Sequence, residues 1–126
     1  MPIDVPRLQA ENQKSLAAVD NSITRLNDLM DDGLPLSEAI AVNAQLSRAQ
    51  GDKIHLQLVR GHLGPAGVIV SEMDPAVANR VDVLAARLDQ AITNDFIIGA
   101  TFDMIKVSLS AAEEMSDITS KHTKKA

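Results

Sequence analysis

Apolar residues recur at alternating spacings of four and three from Val77 onward: Val77, Val81, Leu84, Leu88, Ala91, Ile98, Phe102, Ile105, Leu109 and Ala112, with Asp95 inside the track and Ser116 after it. A repeat this close to 3.5 residues predicts a long helix that buries one seam against partner helices. A second track, Leu16, Val19, Ile23, Leu26 and Met30, predicts an earlier helix. Continued backwards it meets Asn12 and Gln9, polar positions that suggest solvated, fraying first turns, with a register-fixing Asn12 as the alternative. Between these two lies a third track of Ala39, Val42, Leu46, Ala49, Leu56 and Leu63, interrupted by Lys53 and Arg60, whose long stems can lie along apolar surface.

Turn residues divide these tracks. Asp4 can cap helix one, with Pro6 acceptable in its first turn. Asp31-Asp32-Gly33 followed by Pro35 stops it, and a Ser37 cap is expected to start helix two. That helix ends around Gly61, Gly64 and Pro65, and the pair Asp74-Pro75 opens helix three. The run Ile54 to Val59 alternates like a strand, but no second strand of comparable quality appears, so it is read as helix. Residues 64–74 form a linker whose Val68-Ile69-Val70 is expected to plug one end of the core. The predicted fold class is all-α: an antiparallel helical bundle of three long helices with coiled-coil-like packing. A single domain is expected over residues 1–120, followed by a short basic tail at 121–126.

Length turns this pattern into an interaction hypothesis. At 1.5 Å per residue, helices one and two are each roughly 40 Å long, whereas an unbroken helix three from Pro75 to about Thr119 would be about 67 Å. The overshoot, beginning near Ala100, leaves Phe102, Met104, Ile105, Val107 and Leu109 without cover from their own chain. On the heptad track itself the seam in question runs through Ile98, Phe102, Ile105, Leu109 and Ala112. These residues are therefore the expected interaction surface, with a homo-oligomer, a dimer by preference, or a protein client supplying the cover. The competing fold breaks helix three between Asn94 and Gly99 and completes a monomeric four-helix bundle. Asn94-Asp95 and Gly99 favour that break. An uninterrupted heptad frame without proline favours continuity, which is the expectation carried forward.

Composition narrows the function further. Phe96 and Phe102 are the only aromatic residues among 126, so the core is aliphatic and aromatic stacking platforms are absent. The formal charge is −5, and because three lysines lie in the tail, residues 1–120 carry −8. Such an acidic body repels a phosphate backbone, which argues against nucleic-acid binding. No apolar run is long enough to span a membrane. The N-terminal pattern lacks the basic and apolar regions of a signal peptide, so the cytoplasm is the expected location, although export without a cleaved signal leaves no such mark. The chain contains no cysteine, which excludes disulfides, thiolate chemistry and Cys-based zinc sites.

Candidate chemistry is sparse. Asp52 and His55, three residues apart, share one helical face and could form half of a metal or ligand site, with Asp82 or Asp89 of helix three as hypothetical partners. No Glu-x-x-His or His-x-x-x-His occurs. The Asp28, Asp31, Asp32, Gly33 run fails as a calcium loop, because Met30 and Ala39 occupy positions that need oxygen ligands. Glycines at 61, 64 and 67 lack the lysine and the strand context of a phosphate cradle. The sequence therefore predicts a non-enzymatic protein without cofactor, acting as an adaptor, small chaperone or assembly subunit. The alternative is a metal- or ligand-binding bundle with Asp52 and His55 in its site.

Overall fold

A computed structural model describes residues 3–94 and 102–125. Its helices are α1 (Val5–Asp31), α2 (Leu36–Leu63), α3 (Pro75–Asn94) and α4 (Phe102–His122), and two short strands, β1 (Val68–Val70) and β2 (Thr123–Lys125), complete the described elements. The all-α reading holds, but the described helices number four. The predicted third helix is two separate elements that pack on each other. Ile98 and the 95–101 part of the heptad frame, including Asp95 and Gly99, lie outside the described residues.

Folding back resolves the length mismatch. Ile105, Leu109, Ala112 and Met115 of α4 enter the same core as Leu16, Val19 and Leu26 of α1, Val42, Ala49 and Leu56 of α2, and Val81, Leu84 and Leu88 of α3. Each large side chain moved from water into that core contributes about 1.5–3 kcal/mol, a gain that a protruding single helix would forgo without a partner.

Hydrogen bonds and ion pairs between helices fix the relative directions. Gln9 and Asn12 of α1 reach Leu63 and Leu56 of α2 respectively, so the two helices run antiparallel. Arg7 pairs with Asp82 and Lys14 with Asp89, making α1 and α3 parallel. Arg80 pairs with Glu114, and α4 runs antiparallel to α3. The central pair is α1 and α4, each of which also packs on both α2 and α3.

Local signals behave largely as the chain's chemistry dictates. Asp4 Oδ1 accepts from the Arg7 amide at 2.9 Å, and Asp74 Oδ1 accepts from the Ala76 amide at 3.0 Å. Gly33 takes φ of 74°, the left-handed turn that separates α1 from α2. Ser37, however, caps nothing: the helix begins at Leu36 with Pro35 in the capping position and no side-chain cap bond. The expected fraying of α1 is also overturned. Asn12 is buried and its amide donates to the Leu56 carbonyl at 3.2 Å, while Gln9 donates to the Leu63 carbonyl at 2.9 Å. Side-chain amides on the seam thus tie the first turns of α1 to the last turns of α2.

Residues 54–59 are helical, and α2 continues through Gly51. A Cβ added there would meet nothing within 4 Å. Gly51→Ala is therefore expected to stabilise the helix by about 0.5–1 kcal/mol, read as a raised thermal midpoint by circular dichroism at low protein concentration.

Val68-Ile69-Val70 does cover an end of the bundle, since Val68 and Val70 pack on Leu8, Val59 and Leu63. It does so as a strand: β1 pairs antiparallel with β2, with Val68 opposite Lys125 and Val70 opposite Thr123. Residues 123–125 of the basic tail are thereby docked beside the bundle, with Lys124 and Lys125 exposed. No helix of the described residues is long and apolar enough to cross a membrane.

Candidate functional site

The residues nominated as an interface separate into different environments. Ile105, Leu109 and Ala112 are at most 4% exposed within the chain's own core. Phe102 is half-buried and helps line an apolar groove of about 300 Å³ with Leu29, Leu34, Glu38, Ala41 and Val42. The premise that this stripe needs a second chain to cover it is thus corrected for Ile105, Leu109 and Ala112, because α1, α2 and α3 provide the cover. On the outside of α4, Met104 and Val107 are the large apolar residues left in contact with water.

Asp52 and His55 do share a cleft, of about 160 Å³, and its other wall comes from α4, the second half of the predicted helix three, through Ala112, Glu113, Ser116 and Asp117 rather than through Asp82 or Asp89 of the first half. The partners once available on helix three are engaged elsewhere: Asp82 and Asp89 bind Arg7 and Lys14. Arg48 dominates the cleft's electrostatics. Its Nε and Nη2 donate to the two Glu113 carboxylate oxygens at 2.7 and 2.6 Å, and it also donates to Gln45 and Ser110. This fork-to-carboxylate contact is the strong, directional kind of ion pair.

Burial pushes the Asp52 carboxyl up to about 8, helped by its hydrogen bond with Glu113 and the Glu113 charge, against the opposing pull of Arg48. For Glu113 burial acts upward, yet hydrogen bonds from Arg48 and Asp52 outweigh it and hold the carboxyl below its usual range. Asp52 is therefore the protonated member of the pair near neutrality, donating to an ionised Glu113 that Arg48 neutralises. An acid group poised near neutrality can exchange a proton, and His55 and the buried Ser116 hydroxyl, which has no hydrogen-bond partner among the described residues, line the same cleft. Among the described residues no group of three or more His, Asp or Glu side chains is placed to hold a metal ion. What the arrangement demonstrably does is join α2 to α4.

A second surface was not foreseen. Leu36, Ile40, Ile54 and Leu58 are exposed at 77%, 62%, 62% and 69%, the four most exposed large apolar residues described. All four lie on the side of α2 opposite its buried Val42, Ala49, Leu56, Val59 and Leu63. Between them on the same side come Asn43, Ala44, Ser47 and Gly51, all exposed. Of the exposed residues of α2 only Glu38 and Arg60 carry a formal charge. Glu38 turns toward the groove beside Val42, and Arg60 lies on the inward track of Lys53. The outer strip is therefore uncharged over its whole length. A solvated helix face normally alternates charges with its polar residues, so an uncharged strip ending in Leu and Ile at both ends departs from the ordinary pattern. The signal was present in the sequence as apolar residues off the main track, but Ala39, Val42 and Leu46 absorbed the heptad reading.

Comparison with protein-family models, with curated proteins and with solved structures finds no match to this chain.

Proposed function

We propose that this chain is a non-enzymatic helical module for protein–protein interaction or assembly, and that its docking surface is the outer strip of α2. The observation that carries this reading is the conjunction of high exposure at Leu36, Ile40, Ile54 and Leu58 with the absence of charge between them. Removing those four side chains from water would supply several kcal/mol at about 25 cal/mol per Å² of apolar area, of which association consumes a part. Relative to the sequence expectation, assembly is retained and its surface moves from the second half of helix three to α2.

A photo-crosslinking amino acid placed at Ile54 tests this in the cells that make the protein, with the same residue at Asp103 as control, since the Asp103 side chain is 88% exposed. Discrete higher-mass adducts are expected from position 54 and none from position 103. Absence of adducts from 54, or equal adducts from both, overturns the reading.

A further inference from the structure

The outer strip of α2 has an internal symmetry that selects its occupant. Counting outward from Ser47, Asn43 mirrors Gly51, Ile40 mirrors Ile54, and Leu36 mirrors Leu58. Large apolar residues thus lie at equal distances on either side of a centre made of small ones. An isologous two-fold contact requires a surface that matches its own reverse. A helix laid antiparallel on this strip with the dyad at Ser47 would set Leu36 against Leu58 and Ile40 against Ile54, twice over.

We infer that the partner of this surface is a second copy of the chain, bound antiparallel through α2 with its two-fold axis at Ser47; this rests on the proposal that the strip docks protein. Three further observations favour it. The centre carries Ala44, Ser47 and Gly51, and a Cβ built on Gly51 meets nothing within 4 Å, so two backbones can approach closely where the helices cross. Small residues at a crossing serve that purpose.

The ends also match by charge. Beside the N-terminus of α2 stand the exposed Asp28, Asp31 and Asp32. Beside its C-terminus stand the exposed Lys124 and Lys125, because β2 is held against α2 by the contact between His62 Nε2 and the Thr123 hydroxyl at 3.1 Å. Antiparallel docking brings each acidic end to the partner's basic end, whereas parallel docking places like against like. Helix dipoles oppose one another in the same arrangement.

The spacing along the strip favours a straight seam. Steps of four, three, four, four, three and four from Leu36 to Leu58 follow an 11-residue repeat, which keeps one face of a nearly straight helix aligned over about 33 Å. A strip about one helix wide is smaller than the roughly 800 Å² per partner of a standard interface. The dimer is accordingly expected to exchange and to form at micromolar or higher concentration.

Because the chain has no native cysteine, single cysteines report the register directly. Sedimentation velocity across a micromolar concentration series is expected to show a monomer–dimer equilibrium for the parent and monomer alone for the Ile40→Glu, Ile54→Glu double variant, with helicity unchanged. Under mild oxidation, Ser47→Cys should link to itself at least roughly tenfold faster than Asp103→Cys, because docking raises the local thiol concentration from micromolar toward millimolar. Ile40→Cys should link to Ile54→Cys in a mixture faster than either links to itself. A dimer in which Ile40→Cys links preferentially to itself overturns the antiparallel register. A parent that stays monomeric while position 54 still yields adducts with a different protein overturns the homodimer and leaves the docking reading standing. A monomeric parent with no adducts removes both.

Discussion

Leu109→Ala is expected to lower stability by about 3 kcal/mol, on the order of 10 °C in thermal midpoint, with no dependence on protein concentration. Leu109 is fully buried in the main core shared by all four helices, so truncation loses its transfer free energy and leaves a cavity that its helix-borne neighbours can only partly close. The contrast with Ile54 separates core from surface. Ile54 is 62% exposed, and Ile54→Ala should change the stability of the dilute protein by less than about 0.5 kcal/mol. Thermal unfolding of both variants at two concentrations checks this. A loss for Leu109→Ala that disappears on dilution would return this residue to an intermolecular seam.

The fate of Leu109 shows what periodicity can and cannot convey. The 3.5-residue track correctly identified Val81, Leu84, Leu88, Ile105, Leu109 and Ala112 as buried. It could not say whether their cover came from the same chain, because an uninterrupted heptad phase is equally compatible with one long helix and with two helices that share a phase across a turn. Asn94 and the seven residues after it contained no proline or glycine-rich turn to break the tie. The cost of leaving half a stripe exposed decides it in favour of folding back. Caps built from local hydrogen bonds, Asp4 and Asp74, were readable because their partners lie two or three residues away. The β1–β2 pairing was not, since its partners are more than fifty residues apart and each strand is three residues long.

Polar positions were harder to place for a related reason. Asn12 on an apolar track reads as a solvated turn until the Leu56 carbonyl is known to stand opposite it. Asp52 and His55 were correctly paired on one face, but their environment depends on which helix closes it, and α4 brought Glu113 rather than Asp82 or Asp89. The outer strip of α2 failed to register because a helix with two apolar tracks on opposite sides lacks a clean amphipathic signature. Burial, a property of the assembled bundle, distinguishes the track that builds the core from the one left in water.

Removing Arg48 should be the most damaging change at the α2–α4 contact. Arg48→Met is expected to cost about 2 kcal/mol at neutral pH, less than the 3–5 kcal/mol of a fully buried broken pair because the two side chains keep 30% and 33% exposure. The carboxyl pair left behind gives the loss a pH signature. In the parent, the Asp52 carboxyl rises from 3.8 in the unfolded chain to about 8 when folded. Its stabilising contribution is therefore complete below 3.8 and disappears as pH rises through about 8. Glu113 has the opposite sign: held below its ordinary 4.5, it contributes above that value and loses its contribution as pH falls through its lowered folded value. The two contributions overlap best at about pH 4, and the cluster's stabilisation declines from there until about pH 8, where the Asp52 contribution is gone. Asp52→Asn keeps the neutral form at every pH and should abolish the alkaline decline, leaving the variant roughly 1–2 kcal/mol more stable than the parent at pH 9, a figure reduced for the solvent around the cleft. Thermal midpoints of parent, Asp52→Asn and Arg48→Met from pH 4 to 9 test both signs. A parent whose midpoint is flat from pH 6 to 9, or an Asp52→Asn variant that declines in parallel with it, would show that Asp52 does not share a proton with Glu113 and that Arg48 holds α4 alone.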